Sequence, residues 1–252
     1  MTIRADSYQP VIIKPDPGAF NVFRFASAKS RHIILDRLAL DATNVQYDAV
    51  KITYGSATGQ SSHIRLDYCL VMNAPLNGIY VDSAGNEFSD SEIRDNGRDH
   101  LTHGIYVAAS DNLIEGCLIA HNTGYGVHIY NLSTGPINNN IVRYNVVRGN
   151  GQAQVTAGII LSSGSGNKAY ENIVVDNRAG IQVDFASGAE VYNNIIKGNH
   201  GSNGHCIVVG PYASGTLIGG NTCSDNSYGI TDLGEGTQNA AFDTLKKEDS
   251  TG

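Results

Sequence analysis

Gly104-Ile105-Tyr106-Val107 is the stretch on which the fold turns, because the chain keeps returning to it. It recurs as Gly78-Ile79-Tyr80-Val81, Gly126-Val127-His128-Ile129, Gly158-Ile159-Ile160-Leu161 and Gly180-Ile181-Gln182-Val183. Weaker copies are Cys206-Ile207-Val208-Val209 and Gly229-Ile230-Thr231-Asp232, and Ala49-Val50-Lys51-Ile52 is an earlier relative without the glycine. The copies lie roughly 25 residues apart, a period that marks solenoids. Their second and fourth residues are mostly β-branched or leucine, while the third varies freely. Each copy therefore reads as a strand with two side chains pointing in and one pointing out.

The text between copies repeats as well. A short apolar stretch such as Ile141-Val142, Val191-Tyr192 or Leu217-Ile218 is followed by an asparagine or small polar residue, a second apolar pair and another asparagine. One such column reads Ser91, Cys117, Asn145, Asn172, Asn194, Asn221, and a second reads Asn96, Asn122, Asn150, Asn177, Asn199, Asn226. Asparagine tolerates left-handed backbone at turns, its amide bonds nearby backbone, and stacked amides bond one another. A coil of short strands cannot bury its apolar face alone, so coils stack, with like positions about 4.8 Å apart. The expectation is an all-β fold, a parallel β-solenoid forming one domain over residues 1–252. Residues 1–31 read as a partial first coil, with strands at Val11 to Lys14 and Asn21 to Phe25. Residues 32–239 read as about eight or nine regular coils, and 240–252 as a C-terminal cap or tail, with a short helix over Ala240 to Lys247.

Composition bounds the partners. A net charge of −7 argues against nucleic acid or an anionic membrane, though a locally basic cleft on an acidic protein still admits an acidic polysaccharide. No apolar run is long enough for a membrane-spanning helix. The start, Met1-Thr2-Ile3-Arg4, lacks the shape of a signal peptide and opens on strand-like text, as if cut from a longer, exported chain. The register puts Cys69 and Cys223 with Ile93, Ile119, Val147, Val174 and Ile196, as small core hydrophobes too far apart to bridge each other. With Cys117 and Cys206 they suggest no disulfide framework.

The alternation of "I-x-x-N-x-I-x-x-N" with "G-I-x-V" resembles the right-handed parallel β-helix repeat proteins of the pectin-lyase-like superfamily, from about His32 to Asn239. The resemblance implies that fold, and an exported carbohydrate-active enzyme: a polysaccharide lyase, a glycoside hydrolase or a uronate epimerase. Non-catalytic members of the superfamily imply a glycan-binding or structural module as the alternative from another class. The Gly-His-Gly with clustered aspartates of polygalacturonases, the Asp-Pro-His of epimerases and the Arg-Pro pair of pectate lyases are missing. Asn203-Gly204-His205 and Arg98-Asp99-His100 are partial echoes only.

Aligned coils give an outward column Lys51, Tyr80, Tyr106, His128, Ile160, Gln182, Val208, Thr231. Three residues earlier stand Asp48, Asn77, His103, Tyr125, and two residues later Asp82, Ala108, Tyr130, Ser162, Asp184. Exposed strands favour tyrosine for structural reasons. Two histidines, a lysine and several tyrosines sharing one face over about four coils nevertheless point to a polyuronate site, with Arg98, Asp99 and His100 in the turn feeding it. β-Elimination needs a cation on the sugar carboxylate, a base for the C5 proton and an acid for the leaving oxygen. The expectation is His128 or His103 as base, Tyr106 as acid and Lys51 or Arg98 on the carboxylate. Tyr80, Asp82, Tyr125, Tyr130, His100 and Asp99 would bind substrate. A hydrolase needs paired carboxylates at set separations; the outward acids are Asp48, Asp82 and Asp184, with Asp95 and Asp99 in the preceding turn. No metal site or cofactor is evident, and calcium on aspartate and backbone oxygens is compatible with the text.

Overall fold

A computed structural model describes residues 1–6, 11–55, 59–60, 62–131, 137–151, 156–201 and 203–239. Within them the repeat becomes three long parallel sheets, traversed in turn by every coil. The first sheet has ten strands, from Thr2–Arg4 to Gln238–Asn239; the second has nine, from Val11–Ile13 to Thr222–Ser224; the third has nine, from Phe23–Phe25 to Tyr228–Asp232. Within residues 1–31, Thr2–Arg4, Val11–Ile13 and Phe23–Phe25 give one strand to each sheet. The expected helix over Ala240 to Lys247 falls outside the described residues. Among the described residues no helix is long and apolar enough to cross a membrane.

The Gly-Ile-x-Val copies are the strands of the third sheet, in unbroken register: Lys51, Tyr80, Tyr106, His128, Ile160, Gln182, Val208 and Thr231 pair one to the next. Their flanking residues, such as Ile79, Val81, Ile105, Val107, Val127 and Ile129, are fully buried. Glycine opens the five copies from Gly78 to Gly180 for lack of space. A Cβ on Gly104 would stand 2.6 Å from the Gly126 carbonyl oxygen and 2.8 Å from the Asn122 amide.

Both columns are hydrogen-bonded ladders, buried except at their last rungs, Asn221 and Asn226. The Asn122 Oδ1 accepts the backbone N–H (3.1 Å) and the side-chain amide (3.0 Å) of Asn96, and its own Nδ2 donates to the Ile93 carbonyl and to Asn150 Oδ1. The left-handed backbone sits one residue earlier than expected: Asp95, His121, Gly149, Asp176 and Asp225 carry the positive φ, and each asparagine follows, turned inward. A third ladder, Asn86–Asn112–Asn140–Asn167, lines the turn that enters the first sheet.

The cysteines correct the sequence reading in two ways. Val71, not Cys69, occupies the apolar column of Ile93, Ile119, Val147, Val174, Ile196 and Cys223. Cys69 instead heads the asparagine ladder, its N–H donating to Ser91 Oγ. Cys206 and Cys223 form a disulfide, 17 residues apart in sequence. The reason lies in the packing of earlier coils, where a column glycine faces a β-branched residue of the second sheet; Gly180 would put a Cβ 2.5 Å from Ile196 Cγ2. One coil later, cysteine replaces both members of that pair. Opening a loop of this length removes about 3 kcal/mol in the chain-entropy picture. Reduction, or Cys223→Ser, is therefore expected to expose residues 206–239 to protease and amide exchange while the central coils stay protected. Uniform loss of protection along the chain would contradict this.

Candidate functional site

The outward side chains of the third sheet form the candidate site. Lys51 Nζ lies 3.4 Å from Asp48 Oδ2 and 4.7 Å above the Tyr80 ring, Tyr80 stacks on Tyr106 at 5.4 Å, and Tyr106 meets His128 edge-on at 5.0 Å. Tyr125 and Tyr130 enclose His128 at 4.6 and 5.2 Å between ring centroids. The site is therefore a row of half-buried rings with a lysine at one end.

His103 and Asp48, expected on the surface, are only 3% and 1% exposed. Their column lies in the turn entering the strand, where side chains fold under the sheet edge. A relay of hydrogen bonds joins them. Asp48 Oδ1 accepts the amide of Asn77 (2.8 Å), whose Oδ1 accepts the backbone N–H of His103 (2.9 Å). The Tyr125 N–H donates to His103 Nδ1 at 3.1 Å, and His103 Nε2 is 2.8 Å from His128 Nδ1. Because a main-chain donor occupies Nδ1, the neutral His103 ring carries its proton on Nε2 and gives it to His128 Nδ1. His128 is left with a proton on Nε2, the nitrogen not bound to His103. Both nitrogens of His103 are engaged within the fold, one by the Tyr125 N–H and the other by His128.

Burial sets the protonation of the site. It holds His103 down to about 3, and burial together with the neighbouring His103 holds His128 well below its ordinary value. Burial, with the Asp82 carboxylate nearby, pushes Tyr80 up to about 12; burial, then Tyr130 and Asp82, raises Tyr106; burial, then Asp184, raises Tyr125. At neutral pH the rings form an uncharged lattice of donors. In the unfolded chain the two histidines protonate near the ordinary 6.5, whereas in the fold they resist until far lower. Between those limits the unfolded state binds more protons, so stability is full above 6.5 and falls as pH drops toward about 3. Urea midpoints should show this slope in the wild type and a shallower one in His103→Gln. Equal slopes would remove the histidines from the acid response.

Arg98, Asp99 and His100 lie in the turn before His103. Thr102 Oγ1 ties that turn by accepting the Arg98 and Asp99 N–H groups at 2.9 and 3.0 Å, and Arg98 is exposed beside Asp99. One residue, Arg24, escaped the sequence reading. Arg24 pairs in register with Lys51 and extends the outward column, but its strand lacks the leading glycine. Asp184, itself raised by burial, acts on Tyr125 from two coils away. Among the described residues no group of three or more His, Cys, Asp or Glu is arranged to hold a metal ion.

Comparison with known proteins follows the architecture. The family described as "Right handed beta helix region" matches residues 77–243. No curated protein matches the chain in sequence. Among solved structures, the enzymatically active domain of tailspike protein 2 from bacteriophage CBA120 is similar with a TM-score of 0.65 at 10% identity, over 88% of this chain. The match takes in 36% of that domain, so this chain spans about a third of its length. The A-module of mannuronan C-5 epimerase AlgE4 from Azotobacter vinelandii gives a TM-score of 0.62 at 15% identity, covering 96% of this chain and 82% of its own. An alginate lyase from Paenibacillus sp. FPU-7 gives 0.51 at 17% identity, covering 92% and 83%. At these identities the likeness is one of fold.

Proposed function

Because this chain belongs to the right-handed β-helix family, we propose that it is a carbohydrate-active enzyme that holds an acidic polysaccharide along its third sheet and cleaves it by β-elimination. One observation carries the reading: a buried histidine, pinned by main-chain and asparagine hydrogen bonds, fixes a second histidine among tyrosines, in a row of rings that ends at a lysine. A side chain that only covered a sheet would not need its tautomer set.

Arg98 and Lys51, the latter three rungs from His128, receive carboxylates of neighbouring uronates along the polymer. His128 donates a hydrogen bond from its Nε2–H to the oxygen on which charge accumulates, a use of a neutral imidazole that burial favours. This replaces the base role expected of His128, since a neutral ring protonated on Nε2 has no lone pair there. The Asp82 carboxylate, close enough to act on both Tyr80 and Tyr106, takes the C5 proton. The C4–O bond then breaks, a C4–C5 double bond forms, and Tyr106 gives its proton to the leaving oxygen. Tyr80, Tyr125, Tyr130, His100 and Asp99 line the path of the sugar chain. The names of two structural neighbours, a mannuronan epimerase and an alginate lyase, support a uronate substrate. Epimerisation on the same groove is the second reading: it shares the proton removal and differs in returning a proton to C5. The disulfide supports an oxidising, secreted or periplasmic setting.

The test is incubation with alginate, pectate and glycosaminoglycans while following the ultraviolet absorbance of the unsaturated uronate. One polymer is expected to give a steady rise. A flat trace in all of them, with no change in uronate configuration by NMR, would overturn the reading.

A further inference from the structure

Beyond the histidine site, the third sheet ends in a feature that the proposed chemistry does not use. Phe185 and Tyr212 stand in the turns that leave two successive strands of this sheet, Ile181–Asp184 and His205–Val209. Their rings are near parallel, 10° apart in plane and 4.7 Å between centroids. They are also 47% and 68% exposed. Phe185 holds this place with a left-handed backbone, φ +50°, a conformation that a bulky aromatic adopts at a cost.

The pair is continuous with the candidate site. The Phe185 N–H donates to Asp184 Oδ1 at 3.1 Å, and the Asp184 charge reaches Tyr125, which packs on His128. Gly210 leaves room for that carboxylate, since a Cβ there would lie 2.5 Å from Asp184 Oδ1. In register, Phe185 is two coils beyond His128 and Tyr212 three, about 10 and 14 Å along the axis at ~4.8 Å per coil. The two ends of the row also differ in charge: Arg24 and Lys51 stand at the N-terminal end, while Asp184 adjoins the aromatic pair.

We propose that Phe185 and Tyr212 form a distal sugar-binding platform, taking the apolar C–H face of a pyranose ring two to three coils from the bond that is cleaved. Aromatic faces are electron-rich and the axial C–H edges of a pyranose are electron-poor and apolar, so the two attract without any charge on the sugar. The carboxylate of the sugar chain is met at the Lys51 end, its ring face at the Phe185 end. This inference rests on the reading of the third sheet as a polysaccharide groove.

The test compares wild type, Phe185→Ala/Tyr212→Ala and Tyr212→Phe in two assays. The first is retardation in gels containing alginate or pectate. The second is the KM for oligomers of mannuronate and of galacturonate, from trimer to octamer. The double variant should lose retardation and show a KM raised about tenfold for the longest oligomers and unchanged for the shortest, with kcat held. Tyr212→Phe, which keeps the ring, should behave as wild type. Turnover by a double variant with wild-type retardation and KM at every length would overturn the platform and leave the lyase reading standing. A wild-type protein that neither binds any of these polymers nor acts on them would overturn both.

Discussion

Replacing His128 with alanine is expected to lower turnover of the polyuronate by about 10²- to 10³-fold, the usual cost of deleting one preorganised donor at a site of developing charge. The loss should fall on kcat, because the donor acts on charge that exists only as the proton leaves carbon. His128→Gln, which keeps a donor amide, should recover part of it. His103→Ala should approach the His128 defect even though His103 touches no substrate, since it leaves His128 Nδ1 and the Tyr125 N–H without their partner. In a double-mutant cycle the two losses should therefore be far from additive. Circular dichroism would verify that the coils persist, as the His128 side chain lies outside the core. Wild-type kcat in His128→Ala would remove this residue from the chemistry, and additive losses would separate it from His103.

The largest effect on stability is expected inside the solenoid, from Asn122→Ala. Its amide makes four side-chain hydrogen bonds, two accepted from Asn96 and two donated to Ile93 and Asn150. All these groups are fully buried, so water cannot replace what is lost. Removing the side chain strands the Asn96 N–H, at about 1–3 kcal/mol for an unsatisfied buried group, takes one donor from the Ile93 carbonyl, leaves a cavity and weakens the amides on either side. The expected destabilisation is about 3–5 kcal/mol, read from urea midpoints. Asn226→Ala, at a partly exposed rung near the C-terminal end, should cost much less. Equal effects at the two positions would mean that burial does not govern the ladder.

What the sequence disclosed follows from its period. The Gly-Ile-x-Val copies fix which side chains share a column, so the row from Lys51 through Tyr80 and Tyr106 to His128 could be listed before any coordinates. Two of the three asparagine ladders were equally plain, because Asn96, Asn122 and Asn150 recur at a fixed offset from the strands. The third escaped notice because Asn86, Asn112 and Asn140 stand next to loops of unequal composition. Positions in turns resisted for a different reason. Period two holds only along a strand, so whether His103 points out or under the sheet depends on turn dihedrals that no alternation encodes. The Cys206–Cys223 bridge was within reach: one residue stands in the glycine column, the other in the apolar column that glycine faces. Seeing it required knowing that those two columns meet across the interior.

That bridge has a consequence for how the molecule comes apart. A solenoid opens like a zipper, from whichever rung has a neighbour on one side only. Among the described residues, the coil around Cys223 and Ile230 pairs with a neighbour on one side only, and both side chains are exposed. Tying Cys206 to Cys223 fuses this rung to the one before it, so the first step of unzipping from that end must release two rungs together. The covalent bond thus acts as an end-stop, raising the barrier to the first step while every later step depends on the ladders alone.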